Sequence, residues 1–388
     1  MPVSRIQQFT DKRFMRLALR LAKRALGDTS PNPLVGAVLV KSGRILGRGW
    51  HHRAGLPHAE IEALADAVRR GNSCRGATLC VTLEPCSTHG RTPPCTAAII
   101  AAGIRRVVVA ATDPNPAHRG GGLRLLRRAG IAVSSGVLAS EATGMNEGFN
   151  HWIVRRTPFV TVKAAMTLDG KIATASGESK WITGEAARAH AMQLRRASDA
   201  ILVGINTVLA DDPALTVRPI RGSQFKVQGS KLKQVRRVIL DTNARTPLRA
   251  KVVSDSFAAN TIIVVSQSAP ARRVAALAKL ARVWLAPMRG GRIDLRWLMR
   301  KLGREGITSL LVEGGGEVNA SFLLGGHAHR VAFYYAPKVL GGRDSLRAVA
   351  GDGATRLSDV LPLRDIEWRR VGPDLFLTAR VDATRRRR

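Results

Sequence analysis

Residues 77–95 read ATLCVTLEPCSTHGRTPPC: a β-branched run that leaves through Glu84-Pro85 into a loop ending on Cys95. Residues 77–83 have the length and the Val, Thr and Leu content of a buried strand, and Pro85 prevents a helix from continuing directly out of it. Residues 34–40 (LVGAVLV) and 106–111 (RVVVAA) are runs of the same kind, separated by helical patterns at 59–70 and 96–102. Strand and helix in alternation make an α/β layer fold, to which 130–133 add a further strand. The alternation starts again after Thr157-Pro158, with strands expected at 159–164, 200–203, 237–241, 261–265, 309–313 and 331–336. The chain is therefore read as two α/β domains, 1–154 and 155–388.

Length and composition agree with two cores. The chain has 388 residues, 45% hydrophobic and 4% aromatic, too long for one ordinary core and too apolar for disorder. Its formal net charge of +34 favours anionic partners, whether phosphorylated metabolites, nucleic acid or an anionic surface. Much of the excess is Arg scattered along helices, and the sequence ends in Arg385-Arg386-Arg387-Arg388. The basic first 27 residues could suit a transit peptide; the preferred reading is a first helix capped by Thr10 or Asp11, with Phe14, Leu17, Leu21 and Ala25 on its apolar side. No apolar stretch approaches the ~18–20 residues needed to span a bilayer. Residues 221–236, Lys-rich with Gly222 and Gly229, read as a solvated loop or flexible insertion.

All four cysteines, Cys74, Cys80, Cys86 and Cys95, fall in the first hundred residues. A chain this long needs no disulfides, so the cluster points to metal in a reducing, cytoplasmic compartment. His58-Ala59-Glu60 opens a helix after Pro57, Pro85-Cys86 follows a strand, and Cys95 comes nine residues later. One imidazole and two thiolates suit Zn²⁺, and three protein ligands leave the fourth position for water, as at a catalytic site. Zinc lowers the pKa of bound water towards ~7, and a carboxylate two residues from the ligand can pass the proton to a departing amine. Glu60 fills that role. His-x-Glu with Pro-Cys-x-x-Cys marks zinc nucleobase deaminases, but here the cysteine spacing is Cys-x8-Cys. Cys80 reads as a core residue and Cys74 as part of a turn.

These residues, with Ser30-Pro31-Asn32-Pro33-Leu34-Val35-Gly36, the segment from Leu83 to Cys95, and Asp113-Pro114-Asn115-Pro116, resemble the bifunctional riboflavin-biosynthesis deaminase/reductase family, whose pattern includes the eight-residue cysteine spacing. In the second half the resemblance continues through Val162–Ala173, Ser176–Thr183, Gly204–Arg218, Asp241-Thr242, Val312–Gly315 and Ala336–Gly342. It implies a cytidine-deaminase-like three-layer domain followed by a dihydrofolate-reductase-like α/β domain. It further implies zinc, one ion per chain, on His58, Cys86 and Cys95, with Glu60 as proton shuttle. The implied reactions are hydrolytic deamination of 2,5-diamino-6-(5-phosphoribosylamino)pyrimidin-4(3H)-one, then NADPH-dependent reduction of the ribosyl group of 5-amino-6-(5-phosphoribosylamino)uracil. Asn32, His51, His89 and Arg91 are pocket candidates, although Asn32 between prolines could equally serve a turn.

On the same resemblance, NADPH is bound by Ala165, Trp181, Thr207, Asp211, Thr242, Gly315, Gly316, Glu317, Val318, Asn319, Ala320 and Ser321. Substrate is contacted by Ser179, Arg195, Leu215, Arg218 and Glu313. The residues themselves support this only in part. Gly314-Gly315-Gly316 can bring backbone N–H groups to a phosphate at a helix N-terminus, or can simply be a tight βα turn. Arg195 and Arg218 can grip a phosphate bidentately or stand solvated; Trp181 can be a core anchor; Lys163 can orient substrate or pair with an acid. Phosphoribosylated pyrimidines are the expected partners, no membrane is expected, and the protein is read as a homo-oligomer. A nucleic-acid deaminase or RNA binder is the competing class; few aromatics for stacking bases and a complete second α/β half stand against it. A purely structural second half is a further alternative.

Overall fold

In the N-terminal unit, Met1–Arg156, helix α1 (Arg5–Ala22) precedes an antiparallel pair, β1 (Gly36–Lys41) and β2 (Arg44–Trp50). There follow α2 (Ala59–Arg69), β3 (Thr78–Leu83), α3 (Cys95–Ala101), β4 (Arg106–Ala111), α4 (Gly121–Arg128), β5 (Ala132–Ser135), α5 (Ala139–Met145) and α6 (Glu147–Arg155). The five strands form one sheet in the order β2-β1-β3-β4-β5, with β3, β4 and β5 parallel. The structure, a computed structural model, describes residues 5–89, 93–218 and 234–382. Arg91, most of the Lys-rich stretch and the terminal arginines lie outside the described residues.

Side chains alternate across the strands and so build two cores. Leu39, Leu79, Val81, Val107 and Val109 pack beneath Ala63 of α2, Ile99 of α3 and Leu126 of α4. Val38, Val40, Cys80 and Val108 pack on the other face against Phe14, Met15 and Ala18 of α1. The unit is thus three layers, helix–sheet–helix. Helix α2 lies unusually close to β2 because Gly49 and Gly47 lack side chains: a Cβ would stand 2.3 Å from the Ala59 carbonyl oxygen at one and 2.2 Å from that of Ala63 at the other.

Two expectations are corrected. Neither Thr10 nor Asp11 caps the first helix, which starts at Arg5. Asp11 is buried within it, where its carboxylate grips both terminal nitrogens of Arg106 at 2.8 and 2.7 Å. The first strand begins at Gly36 rather than Leu34, because the Asn146 side chain takes the Leu34 N–H at 2.7 Å and donates to its carbonyl at 2.9 Å. With both backbone groups satisfied there, Leu34 has none to offer a ladder.

The second unit, Thr157–Arg388, continues with β6 (Phe159–Thr167), β7 (Lys171–Ala173), α7 (Glu185–Arg196), β8 (Ala200–Gly204), α8 (Ile205–Asp211), β9 (Arg236–Leu240), α9 (Lys251–Ser254), β10 (Thr261–Ser266), α10 (Ala271–Ala278) and β11 (Arg282–Ala286). A two-residue hairpin, β12 (Met288–Arg289) and β13 (Arg292–Ile293), leads to α11 (Leu295–Arg304), β14 (Ser309–Val312), α12 (Gly316–Leu324), β15 (Arg330–Ala336), β16 (Leu346–Arg347), β17 (Leu363–Val371) and β18 (Asp374–Val381). The main sheet has the order β11-β10-β9-β8-β14-β6-β15-β18-β17. It is parallel from β11 to β15 and ends in an antiparallel β18–β17 edge.

The order sets the site. The chain moves outward from β8 to β11 and then returns to insert β14 between β8 and β6. Neighbouring strands β8 and β14 therefore send their connections apart, and the crevice outside their carboxyl ends is where ligands bind in open α/β sheets.

Near the amino end of β9 the polar Arg237 is 1% exposed, and all five of its N–H donors are used. They reach Thr261 Oγ1, both Asp255 oxygens, and the carbonyls of Ala214 and Val252, at 2.7–3.0 Å. Arg237→Ala is expected to destabilise the protein by about 3–5 kcal/mol, since it strands a carboxylate and two carbonyls. Arg237→Lys, with three donors in the wrong geometry, should recover only part of the loss. Denaturant titration of both variants checks this.

Candidate functional site

In the first unit the candidate centre is assembled where β3 ends and two helices begin. His58 precedes α2 in extended conformation, and Glu60 stands in the first turn of α2. Cys86 follows β3 by three residues, and Cys95 opens α3. The loop carrying Cys86 is held by its neighbour: buried Glu84 accepts the backbone N–H groups of Asp113, Gly120 and Gly122 at 3.0–3.1 Å and that of Leu123 at 3.4 Å. Gly122 permits this approach, because a Cβ there would lie 2.0 Å from the Pro85 carbonyl oxygen.

The result is that one nitrogen and two sulfurs converge. His58 Nδ1 lies 3.3 Å from Cys95 Sγ and 3.6 Å from Cys86 Sγ, and the three ligand atoms fall within 4.8 Å of one another. Zn–N and Zn–S bonds at tetrahedral angles put such donors about 3.6 Å apart, so the set fits zinc and leaves a fourth position open. Cys74 and Cys80 do not take part: Cys80 is buried in the core beneath α1, and Cys74 packs at the edge of the core on the opposite face of the sheet.

Electrostatics prepare these groups. The Cys86 thiol is brought down to about 4, chiefly by the hydrogen bond from the Cys95 thiol and also by His58; its sulfur accepts the Cys95 backbone N–H at 3.2 Å as well. Cys95 is pushed upward by the Cys86 sulfur and by burial. Burial pushes the Glu60 carboxyl up to about 7, opposed by its own backbone N–H and by His58. A carboxyl poised there can both hold and release a proton near neutrality.

Asn32 and His51 meet beside the centre. Asn32 Nδ2 is 3.1 Å from His51 Nε2, His51 Nδ1 is 3.1 Å from the Pro57 carbonyl oxygen, and the His51 ring stands edge-on to that of His58 at 5.3 Å. Asn32 also donates its backbone N–H to Thr29, so it serves a turn and faces the histidine at once. His89 is exposed.

In the second unit a cavity of about 910 Å³ occupies the crevice between β8 and β14. Thr207, Thr242, Gly315, Gly316, Glu317, Val318, Ala320 and Ser321 line it. Its wall includes the N-terminus of α12, where Gly316 is required: a Cβ would stand 2.3 Å from the Arg347 carbonyl oxygen. Asn319 turns away, donating to the Ala348 carbonyl at 2.8 Å. Ala165, Trp181 and Asp211 lie outside this lining. Trp181 is 63% exposed, which excludes a core anchor, with the Arg188 guanidinium 4.6 Å above its ring. Asp211 pairs with Lys180 at 3.3 Å.

The substrate candidates divide. Arg195 and Glu313 grip each other through two 2.8 Å hydrogen bonds, and Arg195 Nη1 reaches the Thr216 carbonyl at 3.2 Å. Arg195 holds the Glu313 carboxyl down at about 2 against its burial, and Lys163 adds to this; burial in turn lowers Lys163. The three form one buried charge cluster. Leu215 is 3% exposed and belongs to the core, Ser179 is half-buried and Arg218 is exposed. Sequence reasoning missed the arginines of the cavity wall, Arg289, Arg292, Arg296 and Arg347. Among so many scattered arginines no local pattern singled them out.

Residues 158–377 match the family described as RibD C-terminal domain, and residues 9–111 match the cytidine and deoxycytidylate deaminase zinc-binding region. The riboflavin biosynthesis protein RibD of Aquifex aeolicus (strain VF5) is 44% identical over 368 residues, covering 95% of this chain and 97% of that protein. RibD of Escherichia coli (strain K12) is 42% identical over 95% of this chain and 98% of its own length. Among solved structures, RibD of Acinetobacter baumannii superposes with a TM-score of 0.85 at 36% identity, covering 97% of this chain and 99% of that one. A Thermotoga maritima diaminohydroxyphosphoribosylaminopyrimidine deaminase/5-amino-6-(5-phosphoribosylamino)uracil reductase gives 0.80 at 35%, over 97% and 99%. At such identity over almost its whole length, the chain belongs to the RibD family of bifunctional riboflavin-biosynthesis enzymes, a deaminase domain followed by a reductase domain.

Proposed function

We propose that the first unit removes an exocyclic amine by hydrolysis from 2,5-diamino-6-(5-phosphoribosylamino)pyrimidin-4(3H)-one. The second unit then reduces the ribosyl group of the resulting 5-amino-6-(5-phosphoribosylamino)uracil to a ribitylamino group with NADPH. The observation that carries the reading is the convergence of His58, Cys86 and Cys95 beside a buried Glu60. His58, Cys86 and Cys95 hold one zinc ion per chain, which when bound supplies the Lewis acidity that makes water nucleophilic near neutral pH. Glu60 takes the proton released as water adds to the amine-bearing carbon. It returns that proton to the amine nitrogen, and the C–N bond breaks to release ammonia. Asn32 and His51 orient the ring edge. The four free thiols among the described residues fit a reducing cytoplasm.

NADPH, when bound in the second-unit cavity, supplies the hydride. Thr207, Thr242 and the α12 N-terminus bind it there, and Ala165, Trp181 and Asp211 complete the reactive end. Glu313 and Lys163 orient the ribose carbon chain. Because Arg195 is committed to Glu313, we assign the ribose phosphate to Arg218, with Arg195 fixing the Glu313 carboxylate. Ser179 and Leu215 border the substrate, Leu215 through its backbone. No described helix is long and apolar enough to cross a membrane. The exposed edge strand β17, with Ile366 and Trp368 open to solvent, supports a homo-oligomer.

Three outcomes test the reading. Glu60→Gln should reduce ammonia release by about 10²–10⁴-fold while zinc content stays at one per chain; normal deamination would remove Glu60 from the mechanism. Chelation of the metal should abolish ammonia release yet leave NADPH oxidation on the deaminated substrate intact. Loss of both activities together would count against separate centres. Glu313→Gln should destabilise the protein at neutral pH by leaving two buried cations unbalanced. The Glu313 carboxyl is held low, so its contribution is present above about pH 4.3 and lost as pH falls towards 2. Thermal unfolding of wild type and variant should therefore converge over that acid window.

A further inference from the structure

The cavity of the second unit has more cationic groups than a pyrophosphate needs. Its wall includes the α12 N-terminus and four arginines, Arg289, Arg292, Arg296 and Arg347. Two of these share a local oddity. Arg289 and Arg292 are directly opposed across the β12–β13 ladder, joined by Gly290-Gly291 with φ of 56° and 72°. Like charges directly opposite each other weaken a strand pair, so a hairpin this short is poorer for having them. Both side chains are exposed.

Neither arginine is firmly engaged. Among the described residues, no hydrogen-bond or ion-pair partner stands at the Arg289 guanidinium. Arg292 makes two long contacts, 3.3 Å to Ser321 Oγ and 3.4 Å to Glu317 Oε2, both on α12. Exposed pairs of this kind contribute about 0–1 kcal/mol and yield readily to a stronger anion. The three carboxylates of the wall do not cancel the charge. Asp294 is committed to the N-terminus of α11, accepting from Arg296 and Trp297 at 2.8 and 3.3 Å. Glu317 is divided between Arg292 and the Gly351 N–H. Asp352 alone faces the cavity without such a commitment.

Position then selects the anion. Arg292 touches the side chains of Glu317 and Ser321, so the hairpin lies along the first two turns of α12, beside and just beyond the N-terminal amides. A dinucleotide whose pyrophosphate sits on those amides places its adenosine ribose within reach of the hairpin. We propose that Arg289 and Arg292 form the recognition site for a phosphomonoester on that ribose, and that this pair sets the preference for NADPH over NADH. The assignment rests on the cavity being the dinucleotide site. Paired guanidinium forks suit a dianionic phosphate, which in turn relieves the repulsion across the hairpin.

The test is equilibrium binding of NADPH and NADH to the full-length protein, followed by nucleotide fluorescence, for wild type and for the double variant Arg289→Ala/Arg292→Ala. Substitution at two exposed positions that repel each other leaves the fold in place, which far-ultraviolet circular dichroism verifies. The double variant should lose about 100-fold in NADPH affinity and less than about 2-fold in NADH affinity, as expected for two charge-assisted contacts to one group. Adenosine 2′,5′-bisphosphate should displace NADPH from wild type far better than 5′-AMP does, and the variant should lose that difference. Equal weakening of both dinucleotides would assign the arginines to the pyrophosphate and overturn the proposal. Undiminished discrimination would place the selective group elsewhere and overturn it too. A wild type that binds neither nucleotide would overturn the dinucleotide reading of the cavity, and this proposal with it.

Discussion

A buried carboxylate holds the deaminase centre together. Glu84 sits immediately before Pro85-Cys86 and accepts four backbone N–H groups from the 113–123 segment. Four hydrogen bonds converge on one side chain, so it fixes the end of β3 against the start of α4 more firmly than packing alone would. With that end fixed, Cys86 cannot drift from Cys95, whose backbone N–H its sulfur accepts. His58 is brought to them from a different element, α2, which approaches the sheet only because Gly47 and Gly49 leave room. Three converging donor side chains from three segments thus depend on one acid and a few absent side chains.

The reductase unit solves the same problem with different parts. Its cavity exists because β14 returns between β6 and β8, and it is deep because Gly204 and Gly314 let Val318 pack close; a Cβ would stand 2.8 and 2.5 Å from that side chain. The charge cluster beside it is self-contained. Glu313, at the end of β14, is balanced by Arg195 from α7 and Lys163 from β6, so the fold itself presets an arrangement of one anion and two cations. Preset charges require no reorganisation during reaction, which is where their catalytic advantage lies.

What could be read from sequence follows from how local each signal is. Strands β1, β3, β4, β6, β8, β9, β10, β14 and β15 are β-branched or apolar runs, and each was legible to within a few residues. β2, with Arg44, Gly47, Arg48 and Gly49, carries no such pattern; it is a strand because β1 pairs with it and because its glycines admit α2. β17 was equally hidden, being exposed along almost its whole length. At the candidate metal centre His58, Glu60, Cys86 and Cys95 stand out because rare residue types fall in a chemically meaningful spacing. From sequence Arg195 can be a phosphate grip or a solvated arginine; in the structure its fork faces Glu313, a residue 118 positions away that no spacing rule connects to it.

The formal charge of +34 acquires meaning from the same distinction. Arg106, Arg195 and Arg237 are inside, each matched by a carboxylate at 2.7–2.8 Å, and they act as multi-donor struts rather than as field sources. Among the described residues many of the remaining arginines and lysines are exposed, where they raise the local concentration of anions over a range set by the Debye length, about 8 Å at physiological salt. Both expected ligands, a ribose phosphate and a phosphorylated dinucleotide, are anions. A field of this reach can hasten their encounter but cannot tell them apart. Discrimination has to come from short-range geometry, and the opposed arginines at the rim of the reductase cavity are the kind of feature that provides it: two forks held by one ladder, at a set distance from the helix amides.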